Sequence, residues 1–243
     1  MSERRFFTEK SNIIGGHVFL MGDEHRHLSI VLRLRQGDNV VVCDGTGKEY
    51  NAVVSKIEKS RTLLDIVSEE YTNSEPRLNV TLYQGLVKGE KMDFIIQKAT
   101  ELGVTKIVPF TSKYTVAENS LSKNDRFYKI ALSAAKQSRR AIIPEISEVQ
   151  NFDDLLKFVK NNKNVILAYE NENANTLKQA LTNIKSKVVT LIVGSEGGFS
   201  TEEVEELMSV GAVSVKLGKR ILRAETAAIS ILACTMFDLN EWE

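Results

Sequence analysis

From residue 77 onward the chain alternates between short apolar runs and amphipathic stretches, and this alternation restricts the fold more than any other feature. The runs "LNVTLYQGL", "KIVPFTS", "VILAYE", "VVTLIVG" and "VSVKLG" are close to continuously apolar. A strand that is half exposed would show a polar residue at every second position, so these strands are covered on both faces. Each run precedes a helical pattern: "EKMDFIIQKATELG", "NDRFYKIALSAAKQSRRA", "TLKQALTNI", "TEEVEELMSVG" and "ETAAISILACTMFDL". In the first of these, Met92, Ile95, Ile96, Ala99 and Leu102 form one stripe, and Gly103 suits the residue that ends a helix. Strands alternating with helices predict an α/β domain built on a parallel sheet with helices on both sides.

The first part of the chain reads differently. Between residues 1 and 74, "HVFLM", "DNVVVCDG", "EYNAVVSKIE" and "TLLDIV" are short strands separated by turn signals, as in a small barrel or sandwich. One insert, "DEHRHLSIVLRL", carries Leu28, Val31, Leu32 and Leu34 near helical spacing, with Asp23 as a candidate N-cap. The polar stretch "EEYTNSEPR", containing Pro76, predicts a linker. The expected domains are therefore residues 1–74 and 75–243.

Bulk properties exclude several classes. No apolar stretch approaches the roughly 18 residues of a membrane helix, and "MSERRFFTEK" lacks the apolar centre of a secretion signal. Cys43 and Cys234 have no metal-ligand or redox spacing, so neither a disulfide frame nor a metal site is expected, and the chain reads as cytoplasmic. With 32 Lys and Arg against 32 Asp and Glu, a histone-like polybasic binder is excluded but a local basic face is not. Basic clusters occur at Arg4 and Arg5, Arg33 and Arg35, Lys136, Arg139 and Arg140, and Lys219, Arg220 and Arg223. Each is either a solvated face or a binding surface.

Two strand-to-helix corners stand out: "LIVGSEGGFSTEEVEEL" and "VKLGKRILRAETAA". Ligands in open parallel sheets sit beyond the carboxyl ends of the strands, where both corners fall. Gly197 and Gly198 lack a Cβ and can leave peptide groups bare to a ligand. The competing reading is a tight turn. Ser200 and Glu203 fit a capping box that starts the next helix. The Walker glycine–lysine loop and the GxGxxG turn are both absent, and Ser195 is not in a hydrolase elbow. Glu196 is a poor neighbour for phosphate, while Leu217, Ile221 and Leu222 around Gly218 suit a flat heterocycle. A cofactor with an apolar ring, a positive centre and no phosphates fits best. S-adenosyl-L-methionine is one such molecule, although spacing alone does not name it.

The chain resembles the bacterial 16S ribosomal RNA uridine-N3 methyltransferases (RsmE) of the SPOUT superfamily. The resemblance rests on "RRFF", "HLSIVLR" followed by "GD", "VKGEKMDFIIQKATELGV", "KQSRRAIIPE", "IVGSEGGFSTEE" and "LGKRILRAETAA", in order along nearly the whole chain. It implies an N-terminal PUA-like β-barrel for RNA and a C-terminal SPOUT-type α/β domain with a trefoil knot. It also implies a homodimer, to which the apolar helix "AAISILACTMF" contributes, and 16S rRNA of the small ribosomal subunit as partner. The cofactor site it implies comprises Leu167, Ala168, Gly194, Ser195, Glu196, Gly197, Gly198, Leu217, Gly218, Ile221, Leu222 and Ala227. Three positions depart from the family pattern: Ser195 stands for a proline, Lys136 for a glutamate and Ala224 for a threonine.

Methylation at uracil N3 needs a base for the N3 proton and donors for charge spreading onto O2 and O4. Arg223 is a candidate for the carbonyls or a phosphate, because a cation at a helix start has the wrong sign for stability. Glu225 is a candidate base or orienter, against the reading that acids simply favour the first helical turn. RNA contact is assigned to Arg4, Arg5, Arg33, Lys136, Arg139, Arg140 and Arg220, with Phe6 and Phe7 either stacking on bases or filling the barrel core. His25 and His27 would point apart on a helix, which disfavours a metal pair. A valine at Gly197 is expected to fill the ligand's space and spare the fold. Other readings of the same residues are a non-catalytic RNA-binding assembly factor with a vestigial cofactor loop, or an enzyme methylating ribose or another RNA base.

Overall fold

A computed structural model describes residues 4–116 and 123–242. By internal packing the chain divides into two units, Met1–Glu75 with Ala135–Ile143, and Pro76–Ala134 with Pro144–Glu243.

The first unit contains β1 (Arg5–Phe7), β2 (Ile13–Ile14), β3 (His17–Met21), α1 (Gly22–Arg26), a π-helical turn (His27–Val31), β4 (Asn39–Cys43), β5 (Lys48–Ile57) and β6 (Arg61–Tyr71). The strands form one sheet in the order β1-β4-β5-β6-β3-β2, antiparallel except for the β1–β4 pair. Alternating residues such as Val18, Leu20, Val40, Val42, Ala52, Val54 and Leu64 enter a single core with Phe6. Phe6 is fully buried and Phe7 nearly so, which decides for core and against base stacking.

Three sequence expectations fail in this unit. The insert is not a continuous amphipathic helix: α1 gives way to the wider π turn, closed by the Leu32 N–H donating to the His27 carbonyl at 2.9 Å. Widening the helix breaks the 3.6-residue period, so Leu28 and Leu34 are buried while Val31 and Leu32 face solvent. The residue preceding α1 is Met21, and Asp23 lies in the first turn without acting as its cap.

Two arginines assigned to RNA are internal. Arg5 Nη1 lies 2.7 Å from Glu49 Oε1 and Nη2 3.1 Å from Oε2, both residues buried. Arg140 is equally buried, its Nη2 2.8 Å from Glu75 Oε2, while Glu75 Oε1 accepts the Ala141 and Ile142 N–H groups. A buried guanidinium held in this way braces the unit and is withdrawn from phosphate. Lys136, at the end of the helix described below, is also engaged. It pairs with Glu24 and sits over the Phe6 ring at 5.7 Å. Arg4 is half-exposed and pairs with Asp38 at 3.1 Å. Arg33 and Arg139 are exposed, each with positive φ.

The second unit follows the predicted alternation: β7 (Asn79–Gly85), α2 (Glu90–Glu101), β8 (Lys106–Phe110), α3 (Lys123–Gln137), β9 (Glu145–Ile146), α4 (Phe152–Lys160), β10 (Val165–Ala168), α5 (Leu177–Thr182), β11 (Val188–Val193), α6 (Thr201–Ser209), β12 (Val213–Val215) and α7 (Ala224–Asp238). All strands are parallel, in the order β12-β10-β11-β7-β8-β9. One face buries Tyr83, Val108, Leu167 and Ile192 against Leu155 and Val159 of α4 and Val204 and Leu207 of α6. The last turn of α3 belongs to the first unit, a division that no composition change announces. Strand β9, absent from the sequence reading, completes the sheet's far edge, and helix α4, likewise absent, packs on its face. Among the described residues no helix is long and apolar enough to cross a membrane.

Candidate functional site

The carboxyl ends of β10, β11 and β12 open onto one cavity of about 510 Å³. The corner after β11 contributes Gly194 through Phe199, and the corner after β12 contributes Lys216 through Arg223. Of the residues assigned to the cofactor, Ala168, Gly194, Ser195, Glu196, Gly197, Gly198, Leu217, Gly218, Ile221, Leu222 and Ala227 all line it. Leu167 does not. Its side chain is fully buried in the core beneath, because strand alternation turns it away from the site. Arg220, Arg223 and Glu225 also stand in the wall.

The first corner is a closed piece of structure. The Gly198 N–H donates to the Ser195 carbonyl at 3.0 Å, making a four-residue turn in which Gly198 has φ +66°. Ser200 and Glu203 form the predicted capping box: the Glu203 N–H donates to Ser200 Oγ, and the Ser200 N–H donates to Glu203 Oε2. Ser195 is buried, its Oγ 3.5 Å from the Tyr114 carbonyl, so the position that departs from proline faces protein. Glu196 accepts from the Lys88 N–H at 3.1 Å and from Lys91 Nζ at 3.0 Å. Burial alone would raise its carboxyl, but the Lys91 and Lys88 hydrogen bonds outweigh that and hold it below the usual range. The acid thus braces the corner against the start of α2.

The glycines of this corner serve packing more than ligand approach. A Cβ on Gly197 would lie 2.7 Å from Tyr114 Cβ and 2.9 Å from its carbonyl oxygen. The bare side of Gly197 therefore faces residue 114, which corrects the expectation that a valine there would enter the ligand's space and spare the fold. Gly85, at the end of β7, is tighter still: a Cβ would stand 2.3 Å from the Ser195 nitrogen. Gln84 ties the two strand ends together, donating from Nε2 to the carbonyls of Gly85 and Gly194.

The second corner is open. Gly218 has φ +139°, and a Cβ there would meet nothing within 4 Å. Ile221 is 85% exposed, and Arg223, the residue before α7, gives the helix no side-chain cap. In the first turn of that helix, Glu225 Oε2 is buried and has no hydrogen-bond partner. A buried polar atom left unpaired is uncommon and calls for a reason beyond folding.

Sequence reasoning missed Lys91, Tyr169, Glu170 and Lys216, which also line the cavity. Tyr169 and Glu170 follow β10 directly, so the carboxyl-end rule could have found them. Lys91 comes from a distant helix and leaves no such signal. The wall holds five cations (Lys91, Lys216, Lys219, Arg220 and Arg223) against three acids (Glu170, Glu196 and Glu225), a balance suited to an anionic substrate. Among the described residues no group of His, Cys, Asp or Glu has the makings of a metal site.

Comparison with known proteins gives a consistent picture. A family model described as RNA methyltransferase domain matches residues 73–236, and one described as RNA methyltransferase PUA domain matches residues 20–67. A relative from Bacillus subtilis (strain 168), named ribosomal RNA small subunit methyltransferase E, is 32% identical over 96% of both chains. The crystal structure of a protein of that name from Neisseria gonorrhoeae, bound to S-adenosyl methionine, superposes with a TM-score of 0.87 at 32% identity, covering 97% of each chain. A methyltransferase structure from Legionella pneumophila with cofactor SAM bound gives a TM-score of 0.84 at 28% identity over 98% of each chain.

Proposed function

The chain belongs to the ribosomal RNA small subunit methyltransferase E family, and from that premise we propose that it is an S-adenosylmethionine-dependent enzyme methylating N3 of a uridine in 16S ribosomal RNA. The observation that carries this reading is one cavity framed by two glycine corners, with Glu225 and five cations in its wall.

The residues present fit the cofactor. A cavity of about 510 Å³ lies in the range of small-molecule sites. Leu217 and Leu222 offer aliphatic walls to a ring, and Gly218 offers an open peptide. The corner at residues 194–198, with Ala168 and Ala227, would hold the rest of the molecule. When bound, S-adenosylmethionine supplies an electrophilic methyl group on a sulfonium.

The chain supplies the remaining requirements. Glu225, in the cavity wall, takes the N3 proton on its carboxylate. Arg223, exposed at the head of α7, offsets the negative charge that develops on O2 and O4. Lys219 and Arg220, also exposed, meet backbone phosphate at the rim. An RNA target of this kind places the protein in the cytoplasm.

We extend the proposal to the homodimer and the knot. The outer side of α7 with α5 forms an apolar groove of about 660 Å³ that includes Leu177, Leu181, Phe237 and Trp242. Phe237 and Trp242 are more than half exposed, and covering them by a second copy is favourable. A dimer mass in light scattering, reverting to monomer in F237E/W242E, checks this. The return of the corner after edge strand β12 to the cavity at the carboxyl ends of β10 and β11 supports a threaded chain.

The test of function is nucleoside analysis of rRNA from a strain lacking the protein. 3-Methyluridine is lost, wild type restores it, and Glu225→Gln does not. An unchanged level in the deletion strain removes the assignment. In vitro, E225Q keeps cofactor affinity while transfer falls by roughly 10²-fold or more; a wild-type rate would remove Glu225 as the base.

A further inference from the structure

We propose that residues 27–32 of the first unit form a rigid apolar knuckle that receives the faces of unpaired RNA bases. The inference rests on the rRNA-methyltransferase reading above and assigns part of its substrate contact.

Three consecutive aliphatic residues are presented to solvent here: Ile30 is 62% exposed, Val31 63% and Leu32 39%. They do not belong to a loose loop. Leu28 and Leu34 are buried on either side, and the Leu34 N–H donates to the Leu28 carbonyl at 3.1 Å. Ser29 Oγ donates to the His25 carbonyl at 2.8 Å, and His25 Nδ1 lies 2.8 Å from the buried Thr62 hydroxyl. The π turn thereby fixes side chains that a regular helix of this pattern would have turned inward. A contiguous apolar surface held rigid in water marks an interaction site, and π turns concentrate at such sites.

Charge identifies the partner. Arg26, Arg33 and Arg35 are exposed around the knuckle and, among the described residues, none of them pairs with an acid. Two of the neighbouring acids are already engaged: Glu24 by Lys136 and the Phe7 N–H, and Asp38 by Arg4 and the Arg35 N–H. Asp23 stands in the first turn of α1. A polyanion with flat apolar faces satisfies both halves of the surface: phosphates meet the guanidiniums and bases lie on the aliphatic side chains. A duplex hides those faces, so the partner is unpaired RNA.

Fluorescence anisotropy of the full chain with single-stranded and duplex RNA of one sequence tests this. I30S/V31S weakens binding of the single strand about tenfold and leaves duplex affinity and salt slope unchanged. I30L/V31L, which keeps the apolar surface, retains wild-type affinity. R33A/R35A lowers the salt slope on both RNAs by about 1 per lost phosphate contact. If I30S/V31S binds single strands as the wild type does, or weakens both RNAs alike, the knuckle proposal fails while the methyltransferase reading stands. If I30S/V31S keeps RNA affinity but no longer methylates whole small subunits, the knuckle belongs to a ribosomal protein and the proposal fails. A wild type that binds neither RNA overturns the knuckle proposal, and the methyltransferase reading is then decided by the nucleoside analysis alone.

Discussion

The two corners that frame the cavity are built on opposite plans. In the corner after β11 the bare side of each glycine is already occupied: Gly197 against Tyr114, Gly198 against a Glu170 oxygen, and Gly194 against Phe199. A turn hydrogen bond, a capping box and the Glu196–Lys91 pair close it further. In the corner after β12, Gly218 faces empty space, Ile221 lies in solvent and α7 starts uncapped. One wall is finished before any ligand arrives, and the other is left for the ligand to complete. A preformed wall lowers the ordering cost of binding, while an open one lets substrate and cofactor enter.

The largest expected effect comes from breaking the finished wall. Gly85→Ala would force a methyl group to within 2.3 Å of the Ser195 nitrogen, where only backbone movement relieves it. Overpacking of this kind costs roughly 3 kcal/mol, a fall of about 10 °C in the melting midpoint of the second unit. Gly197→Ala should cost somewhat less, since part of the conflict is with the Tyr114 side chain. Scanning calorimetry of the apo protein decides. Midpoints at the wild-type value would mean that the first corner is as loose as the second.

Gly218→Ala sharpens the contrast. A φ of +139° is strained for alanine, but no neighbour crowds Gly218, so the chain there relaxes by moving. The expected result is a midpoint close to wild type with cofactor affinity reduced about tenfold. Ile221→Ser should act in the same direction by a smaller step. It leaves the apo protein unchanged within about 0.5 kcal/mol and lowers affinity severalfold, because apolar area is no longer buried when the ligand binds. Titration calorimetry beside thermal melts separates the two quantities. A Gly218→Ala protein that melts as low as Gly197→Ala would erase the distinction between the corners.

The difference between the corners was only half legible in the sequence. Parallel-sheet architecture followed from apolar runs that lack alternation, and the Ser200–Glu203 cap from residue types three apart, because both are local signals. Gly103 as the end of α2 was readable for the same reason, and it adopts φ +94°. What a glycine faces is not local: Gly197 and Gly218 look alike in the sequence, and only the fold brings Tyr114 beside one of them. The same blindness affected the arginines. Arg4 and Arg5 are adjacent, yet sheet register carries Arg5 inward to Glu49, 44 residues away, and leaves Arg4 at the surface. The π turn was hidden because its pattern, Leu28, Val31, Leu32 and Leu34, is the one an ordinary helix would show.

The smallest expected effect concerns the ion pair that belongs to the first corner and has no counterpart in the second, where Lys219, Arg220 and Arg223 make no ion pair among the described residues. Glu196 is held below its ordinary value of 4.5 once the Lys91 and Lys88 hydrogen bonds have outweighed burial. A carboxyl whose folded value is depressed favours the folded state above the unfolded value and loses that contribution as pH falls through the folded one. The pair should therefore brace the corner at neutral pH and release it progressively below about pH 4.5. Glu196→Gln removes the charge, so its midpoint should lie slightly below wild type at pH 7 and converge on it as pH falls through the depressed folded value. Because the Glu196 side chain is 34% exposed, solvent screening keeps this gap small. A gap that stays constant with pH would mean that Glu196 holds the corner by shape alone. The finished wall would then owe its closure to the glycine packing and the capping box.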